Sequence, residues 1–226
     1  MRSILLQLIF PQLCVGCGDH LPSKDNVLCS SCTWLLPATG FETAPGNPVE
    51  RKFWGRIPLK AAAAAYYFNQ GSLVRHLMHQ FKYKGERELC VLLGRMMGSR
   101  LAASGRFGAD CLVPLPLYES REHKRGYNQA GLLCRGIAEV LEIPVEEGLV
   151  RRNRHTSTQT DKGRQQRWIN MAGNFRLTGK DPPGNRLLLI DDVITTGATL
   201  EACAAELLKL PGVEVSIASF CYASEV

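Results

Sequence analysis

Apolar residues along the chain follow two patterns, unbroken runs and runs with helical spacing. The unbroken runs at 111–117 and 187–190, which end at proline or aspartate, predict strands buried on both faces of a parallel sheet. The run at 59–68 is ambiguous, because its alanines favour a helix and the three aromatic residues after them favour a strand. We predict a strand there, and a further strand at 143–150.

Four segments carry apolar residues at every third or fourth position, which predicts amphipathic helices. These helices cover 73–84, about 88–103, 130–141 and 200–208. Ser72 is a suitable N-cap for the first helix, and Gly85 is expected to end it. The last turn of that helix carries Lys82 and Lys84, which we expect to be exposed.

The composition is that of an ordinary soluble globular protein, with 226 residues of which 45% are hydrophobic and 21% charged. This length suits one α/β core with a small additional module, and the composition argues against disorder and against a coiled coil. The formal net charge of +6 is compatible with a polyphosphate ligand and with nucleic acid, and it does not decide between them.

A short apolar run at 4–10 resembles a targeting segment superficially. It is too short to span a bilayer, and Pro11 interrupts it. Cys14 follows Leu13 rather than the small residue that a lipoprotein site requires. We therefore expect a cytoplasmic protein without membrane insertion, in which this run packs on the neighbouring cysteine module.

Two C-x-x-C pairs follow, separated by eleven residues: Cys14, Cys17, Cys29 and Cys32. Four thiolates can surround one ion tetrahedrally and leave no open position, which predicts a structural zinc site. A redox-active pair and two disulfides are the alternatives, and the lack of a secretion signal in the sequence favours zinc. The other five cysteines lie in apolar runs and are expected to be buried free thiols.

The domain organisation follows from where the periodic pattern stops. We place a zinc-binding module at 1–40, a linker at 41–58 and the main domain at 59–226. The linker is rich in proline and glycine and lacks a periodic pattern. Aromatic and basic residues interleave around it, so a nucleic-acid or partner surface is an alternative to packing between the two parts.

The segment L-L-L-I-D-D-V-I-T-T-G-A-T-L at 187–200 has features suited to a phosphorylated sugar. Asp191 and Asp192 are expected where the strand ends, and carboxylates there can accept hydrogen bonds from sugar hydroxyls. Small residues follow, just before a helix: Thr195, Thr196, Gly197, Ala198 and Thr199. Backbone amides at a helix N-terminus bind anions, so the segment predicts a site for ribose 5-phosphate.

This segment resembles the phosphoribosyl pyrophosphate (PRPP) signature of type I phosphoribosyltransferases, in which an apolar strand, two acids and T-T-G-x-T follow one another. An acidic pair after a strand also occurs at the Mg²⁺ site of signalling receiver domains and in Walker-type motifs, but the T-T-G-A-T continuation argues against both. The resemblance implies that Asp191 and Asp192 bind the ribose 2- and 3-hydroxyls, that 195–199 surrounds the 5-phosphate, and that PRPP binds with Mg²⁺.

Two other segments are strongly basic. The segment R-E-H-K-R-G-Y-N-Q at 121–129 lies between a predicted strand and a predicted helix, which suits a pyrophosphate, and a solvated basic turn is the alternative. Its candidate ligands are Arg121, Lys124 and Arg125. The polar segment 151–167 is typical of a mobile functional loop or of disorder. We predict a lid carrying Lys162 and Arg164, with a DNA-contacting surface as the alternative.

Motifs along nearly the whole chain are together similar to those of the ComF family of phosphoribosyltransferase-like proteins. They are the four-cysteine module, F-K-Y-K-G-E at 81–86, P-L-P-L followed by R-G-Y-N-Q, a segment that begins at Arg152, and L-L-I-D-D-V-I-T-T-G-A-T. The resemblance implies an α/β fold of the type I phosphoribosyltransferase kind, with a mainly parallel sheet flanked by helices and PRPP at the carboxyl ends of its strands. It also implies a link to the uptake or use of DNA in bacteria.

Two functions remain in competition on the sequence alone. A phosphoribosyltransferase would displace pyrophosphate from C1 of the ribose through an oxocarbenium-like centre. Electrostatic stabilisation by positioned charges would supply most of the catalysis. Mg²⁺ and the basic residues would stabilise the departing pyrophosphate while the acids hold the ribose. The alternative is a non-catalytic protein that senses PRPP or a nucleotide and binds single-stranded DNA or a DNA-uptake partner, because a fold does not decide function.

Overall fold

The computed structural model describes residues 12–22, 27–69, 71–118, 126–153 and 174–223. Six helices occur in this part of the chain: α1 (Ser30–Trp34), α2 (Pro48–Arg51), α3 (Leu73–Tyr83), α4 (Arg87–Ser104), α5 (Gln129–Leu141) and α6 (Ala198–Leu207). The six strands of the same part are β1 (Ala62–Tyr67), β2 (Cys111–Pro114), β3 (Val150–Arg152), β4 (Phe175–Leu177), β5 (Arg186–Ile194) and β6 (Glu214–Tyr222).

Four strands form a parallel sheet in the order β1-β6-β5-β2. The central strands β5 and β6 pair along most of their length, with Leu189 opposite Ile217 and also opposite Val113 of β2. All three of these side chains are buried. The strands predicted in the apolar runs 111–117 and 187–190 are confirmed, as is the strand predicted in the alanine-rich run.

A strand over 143–150 is a wrong prediction. Only Val145 makes a parallel bridge there, to Leu112, and the regular strand β3 begins at Val150 and pairs antiparallel with β4 in a separate two-stranded sheet. Pro144 has no N–H to donate to a neighbouring strand. Pairing beside β2 is therefore limited to two backbone bonds, from the N–H of Leu112 to the carbonyl of Pro144 and from the N–H of Glu146 to the carbonyl of Leu112.

The predicted helices are confirmed. Ser72 accepts a hydrogen bond from the backbone of Arg75 and caps α3, and Asn128 caps α5. Helix α5 packs against α4, β2 and β5, whereas α6 packs against β5, β6 and the β3–β4 sheet. None of the described helices is long and apolar enough to cross a membrane.

Residues predicted as a linker pack against the domain. Val49 and Phe53 are fully buried, and the Asn47 side chain caps α2 while donating a hydrogen bond of 2.8 Å to the carbonyl of Ala62 in β1. The limits of the three segments, 1–40, 41–58 and 59–226, stay a prediction.

Candidate functional site

Strand β5 carries Asp191 and Asp192 at the carboxyl end of the sheet. The strand continues to Ile194, so the acids lie within it rather than after it. Successive side chains of a strand point to opposite faces of the sheet. The two acids accordingly have different neighbours, and each is best considered with the helices on its own face.

Asp192 faces α3 and α4. Its Oδ2 lies 2.8 Å from the Nζ of Lys82 in the last turn of α3. Both side chains are largely buried, with 19% of Lys82 and 13% of Asp192 exposed. Burial raises the pKa of the nearby Cys90 thiol of α4 to about 12, and the charge of Asp192 adds to that rise.

Lys82 is the residue that the sequence interpretation placed wrongly. We expected it to be exposed together with Lys84, and only Lys84 is exposed. The F-K-Y-K-G-E motif was the available signal, but helical periodicity cannot tell whether the last turn of a helix faces solvent or the end of a neighbouring strand.

Asp191 faces α6 on the other side of the sheet. Burial raises the pKa of its carboxyl well above the usual value, and the neighbouring charge of Asp192 raises it further. The charges of Lys82 and Arg152 act in the opposite direction. Asp191 therefore stays protonated to higher pH than an exposed aspartate, and a protonated carboxyl can donate as well as accept a hydrogen bond.

The turn that follows β5 has the geometry of an anion site. Gly197 adopts a left-handed conformation with φ of 80° and begins α6 without a side-chain cap. Thr195 and Thr196 are exposed, and Ala198 and Thr199 are half-buried. The Ala198 N–H of this ten-residue helix makes a long bond of 3.5 Å to the Thr196 hydroxyl, and Gly197 supplies no side-chain cap. Backbone amides at such a helix start can bind a phosphate. The structure thus brings the predicted phosphate residues together at the end of the acid-bearing strand.

Residues of the predicted linker pack behind this turn. The sequence interpretation did not predict this contact. A Cβ added at Gly197 would lie 3.0 Å from the ring of Phe53, which is itself buried. Arg56 pairs at 2.5 Å with Glu201, a buried acid in the first turn of α6. This pairing offsets a negative charge that would otherwise oppose an anion at the helix N-terminus.

We expect Gly197→Ala to destabilise the protein by about 2–4 kcal/mol, because a left-handed backbone strains an L-residue and the added methyl group presses on Phe53. Gly179→Ala is the matched control, since Gly179 has φ of 87° but open space around it. It should cost only the backbone strain, about 1–2 kcal/mol. Chemical denaturation of the two variants measures the difference, and equal losses would exclude a role for Phe53.

The four predicted metal ligands converge in the described structure. The Sγ atoms of Cys14, Cys17, Cys29 and Cys32 all lie within 4.8 Å of one another, and the Cys17–Cys29 separation is 3.7 Å. A tetrahedral zinc–thiolate site has sulfur–sulfur edges of about 3.8 Å. A Cβ at Gly16 would lie only 2.7 Å from the Sγ of Cys32, so the close approach of the sulfurs requires glycine there.

Backbone amides surround these sulfurs as they do in metal-thiolate sites. The N–H groups of Gly16 and Cys29 donate to the Sγ of Cys14 at 3.4 and 3.2 Å. Burial raises the pKa of the Cys14 thiol, but the backbone donors outweigh it and lower that pKa to about 6. The arrangement fits a closed four-thiolate metal site. The cysteines outside this module are buried free thiols, as predicted.

Five predicted site residues lie outside the described residues: Arg121, Lys124, Arg125, Lys162 and Arg164. The described chain nevertheless defines where the second of these segments begins and ends, because the N–H of Asn153 donates to the carbonyl of Asn174 at 2.8 Å. Arg152, directly before that point, stacks on Tyr118 with its guanidinium carbon 3.9 Å from the ring centroid. The positive charge of Arg152 acts to lower the pKa of the Asp191 carboxyl.

A cleft of about 650 Å³ lies between α4 and α5 and is bordered by Tyr127 and Asn128 of the R-G-Y-N-Q motif. Two of its arginines are already engaged. Arg87 donates to the carbonyl of Gly126, and Arg95 pairs with Glu139. The acids of β5 do not line this cleft, so we centre the candidate site on β5 and the turn after it.

Comparison with known proteins identifies relatives along most of the chain. The family described as "Phosphoribosyl transferase domain" matches residues 128–225, which include the acids and the turn after β5. Competence protein F of Haemophilus influenzae is 28% identical over 222 residues, covering 90% of this chain and 94% of that protein. DNA utilization protein YhgH of Salmonella typhimurium is 30% identical, covering 95% and 98%.

Competence protein ComFC of Bacillus subtilis is 32% identical over 220 residues, covering 97% of this chain and 87% of that protein. The parallel sheet, the acid-bearing central strand and the turn before α6 agree with the domain family that matches this region. The chain belongs to the ComF family and has a type I phosphoribosyltransferase-like fold.

Proposed function

We propose that the protein binds PRPP with Mg²⁺ and transfers its ribose 5-phosphate to an acceptor, in a process of DNA uptake or use. The proposal rests on one observation, the order of the structural features at the carboxyl end of the sheet. Asp191 and Asp192 are followed, after four intervening residues, by the left-handed Gly197 and the N-terminus of α6. The carboxyls suit the ribose hydroxyls, and the amides suit the 5-phosphate.

The proposed chemistry relies on charges that are already positioned. Mg²⁺, when bound with PRPP, would neutralise part of the charge of the departing pyrophosphate. Arg121, Lys124 and Arg125 would bind the same pyrophosphate from the loop after β2. Asp191 and Asp192 would hold the ribose and support positive charge at C1, so that no nucleophilic side chain is needed.

Lys162 and Arg164 are proposed to belong to a lid that excludes water from the reaction. The described ends of their segment support this role, because Asn153 and Asn174 meet at the base of the β3–β4 sheet and Arg152 lies within electrostatic reach of Asp191. A lid that starts there could close over the ribose.

We propose zinc as the metal of the four-cysteine module, where it would have a structural role. Four thiolates leave no position for water or substrate, which supports a structural ion rather than a catalytic one. The free thiols of the described chain favour a reducing compartment, and we propose the cytoplasm.

The test is calorimetric titration with PRPP and Mg²⁺. Asp191→Asn combined with Asp192→Asn should weaken binding by roughly a hundredfold or more, since each lost charged hydrogen bond is worth about 1.5–3 kcal/mol. Asp181→Asn, which changes an exposed acid, should bind like the wild type. Unchanged affinity in the double variant would show that PRPP does not bind at β5.

A non-catalytic sensor is the second candidate, and the names of the relatives, competence protein and DNA utilization protein, favour it. The same cradle would then bind PRPP or a nucleotide while another surface contacts single-stranded DNA or a DNA-uptake protein. Pyrophosphate release with PRPP, Mg²⁺ and a panel of bases separates the two. Turnover supports the transferase, whereas tight PRPP binding without turnover supports the sensor.

A further inference from the structure

Helix α3 delivers a lysine to one of the two acids from outside the segment that carries them. Leu77, Met78 and Phe81 are buried and fix the face of α3 that lies on the sheet. The helix ends at Tyr83, so Lys82 occupies its last turn, directly over the end of β5. The ammonium group is therefore held in place by the packing of its own helix.

The Lys82–Asp192 pair is costly as a purely structural feature. Removing an ammonium and a carboxylate from water carries a large desolvation penalty, and well-packed apolar residues are often at least as stabilising in such places. Among the ion pairs of the described residues, Lys82 is the partner of Asp192. Within the described residues, the charge of Asp192 also acts on the thiols of Cys90 and Cys221 and on the carboxyl of Asp191, none of which supplies positive charge.

The geometry leaves part of Asp192 available to a ligand. Lys82 contacts Oδ2 of the Asp192 carboxylate. The backbone N–H of Asp192 donates to Oδ1 of the neighbouring Asp191 at 2.8 Å, and this bond uses neither carboxylate oxygen of Asp192. A carboxylate has two oxygens that together accept several hydrogen bonds. The acid can thus keep its lysine and still accept a bond from a sugar hydroxyl.

We propose that Lys82 is a positioning residue of the ribose site, which fixes the orientation of the Asp192 carboxylate and supplies its counter-charge before PRPP binds. This inference rests on the proposed function and deepens it. It assigns a role to the F-K-Y-K-G-E motif, which lies more than a hundred residues before the acids. Lys82 acts through Asp192 and makes no contact with the ligand itself.

The experiment is a double-mutant cycle read by calorimetry with PRPP and Mg²⁺. Lys82→Met should weaken PRPP binding roughly tenfold, the value of one charged hydrogen bond. Lys84→Met, in the same motif but exposed, should change affinity by less than about twofold. Lys82→Arg keeps the charge and should recover most of the affinity.

The cycle is completed in the Asp192→Asn background, and the double variant Lys82→Met with Asp192→Asn lacks both charges of the pair, so that no buried charge is left unpaired in it. There Lys82→Met should have little further effect, because a residue that acts through Asp192 has nothing left to position. Equal losses in both backgrounds would mean that Lys82 contacts the ligand directly and would overturn the proposal. Wild-type or tighter affinity of Lys82→Met would overturn it as well.

These outcomes are distinct from failure of the proposed function. If the wild-type protein itself does not bind PRPP, the proposed function is wrong. If the wild type binds PRPP and the cycle gives no coupling between Lys82 and Asp192, only the positioning role is wrong. Thermal unfolding of each variant identifies any loss of affinity that comes from unfolding, and the double variant Lys82→Met with Asp192→Asn provides a reference in which neither charge of the pair is present.

Discussion

A variant in which Cys14 and Cys32 are both serine is expected to lose its metal ion and the folded structure of the cysteine module. These are the two buried ligands of the four, one from each C-x-x-C pair. Two remaining thiolates cannot complete a closed tetrahedral site. Apparent binding free energies of structural zinc are roughly 10–16 kcal/mol in isolated zinc fingers, so this is the largest single effect that we expect.

The described residues of the module form only a small apolar core. Its buried apolar side chains within the described residues are few: Cys14, Val27, Leu28, Cys32 and Leu36. A core this small does not offset the conformational entropy of the segment without a metal or a disulfide. Its contact with the main domain includes His76 of α3, whose Nε2 lies 2.8 Å from the carbonyl of Val15, and this contact should loosen with the module.

Metal content per chain and thermal unfolding with and without a chelator would measure the effect. The wild type should hold one zinc ion, and chelator should lower its melting temperature. Cys134→Ala is the control, because Cys134 is a buried thiol outside the module, and it should retain the metal at a small packing cost. A full complement of zinc in the double serine variant would contradict the assignment of the ligands.

The local structure of the candidate site that the sequence predicts is encoded by adjacent residues. An apolar run, two acids, small residues and the start of an amphipathic helix follow one another along the chain, and each step follows from local rules. The turn at Gly197 belongs here because only a left-handed residue connects β5 to α6 in that way. The convergence of the cysteines was likewise predictable from their spacing.

The parts that the sequence did not predict come from distant segments. Lys82, Phe53 and Arg56 reach the site because α3 and the chain before β1 pack against the end of β5. Nothing in the spacing of those residues specifies that packing. The prolines and glycines of the segment before β1 break periodicity and predict a linker, yet tertiary contacts bury several of its side chains.

Strand β1 shows that tertiary contacts can also override the local preference of a sequence. Its alanines have the highest helix propensity of all residues, but they are buried in the parallel sheet beside β6. Burial and ladder hydrogen bonds override intrinsic propensity here, because propensity differs by only about 1 kcal/mol per residue. The aromatic residues at the end of the run gave the correct prediction.

The interface between α4 and α5 is expected to be the most sensitive part of the main domain. The two helices approach so closely that a Cβ at Gly136 would lie 2.0 Å from the carbonyl oxygen of Val91 and 2.7 Å from the nitrogen of Arg95. Both contacts are with backbone, which cannot move without displacing the whole of α4. We expect Gly136→Ala to cost more than about 3 kcal/mol, above the usual range for overpacking.

Gly131→Ala, in the same helix, should have the opposite sign. The added methyl group there meets the flexible end of the Glu147 side chain at 3.2 Å and makes ordinary contact with the Asn128 side chain at 3.7 Å, and alanine is favoured over glycine in a helix by about 1 kcal/mol. Urea unfolding of the two variants under identical conditions isolates the effect of helix approach from that of propensity. Equal stability of Gly136→Ala and Gly131→Ala would contradict this prediction, because it would mean that α4 and α5 can move apart to accept the methyl group without loss of stability. The close approach would then contribute nothing to the rigidity of the domain that carries Asp191 and Asp192.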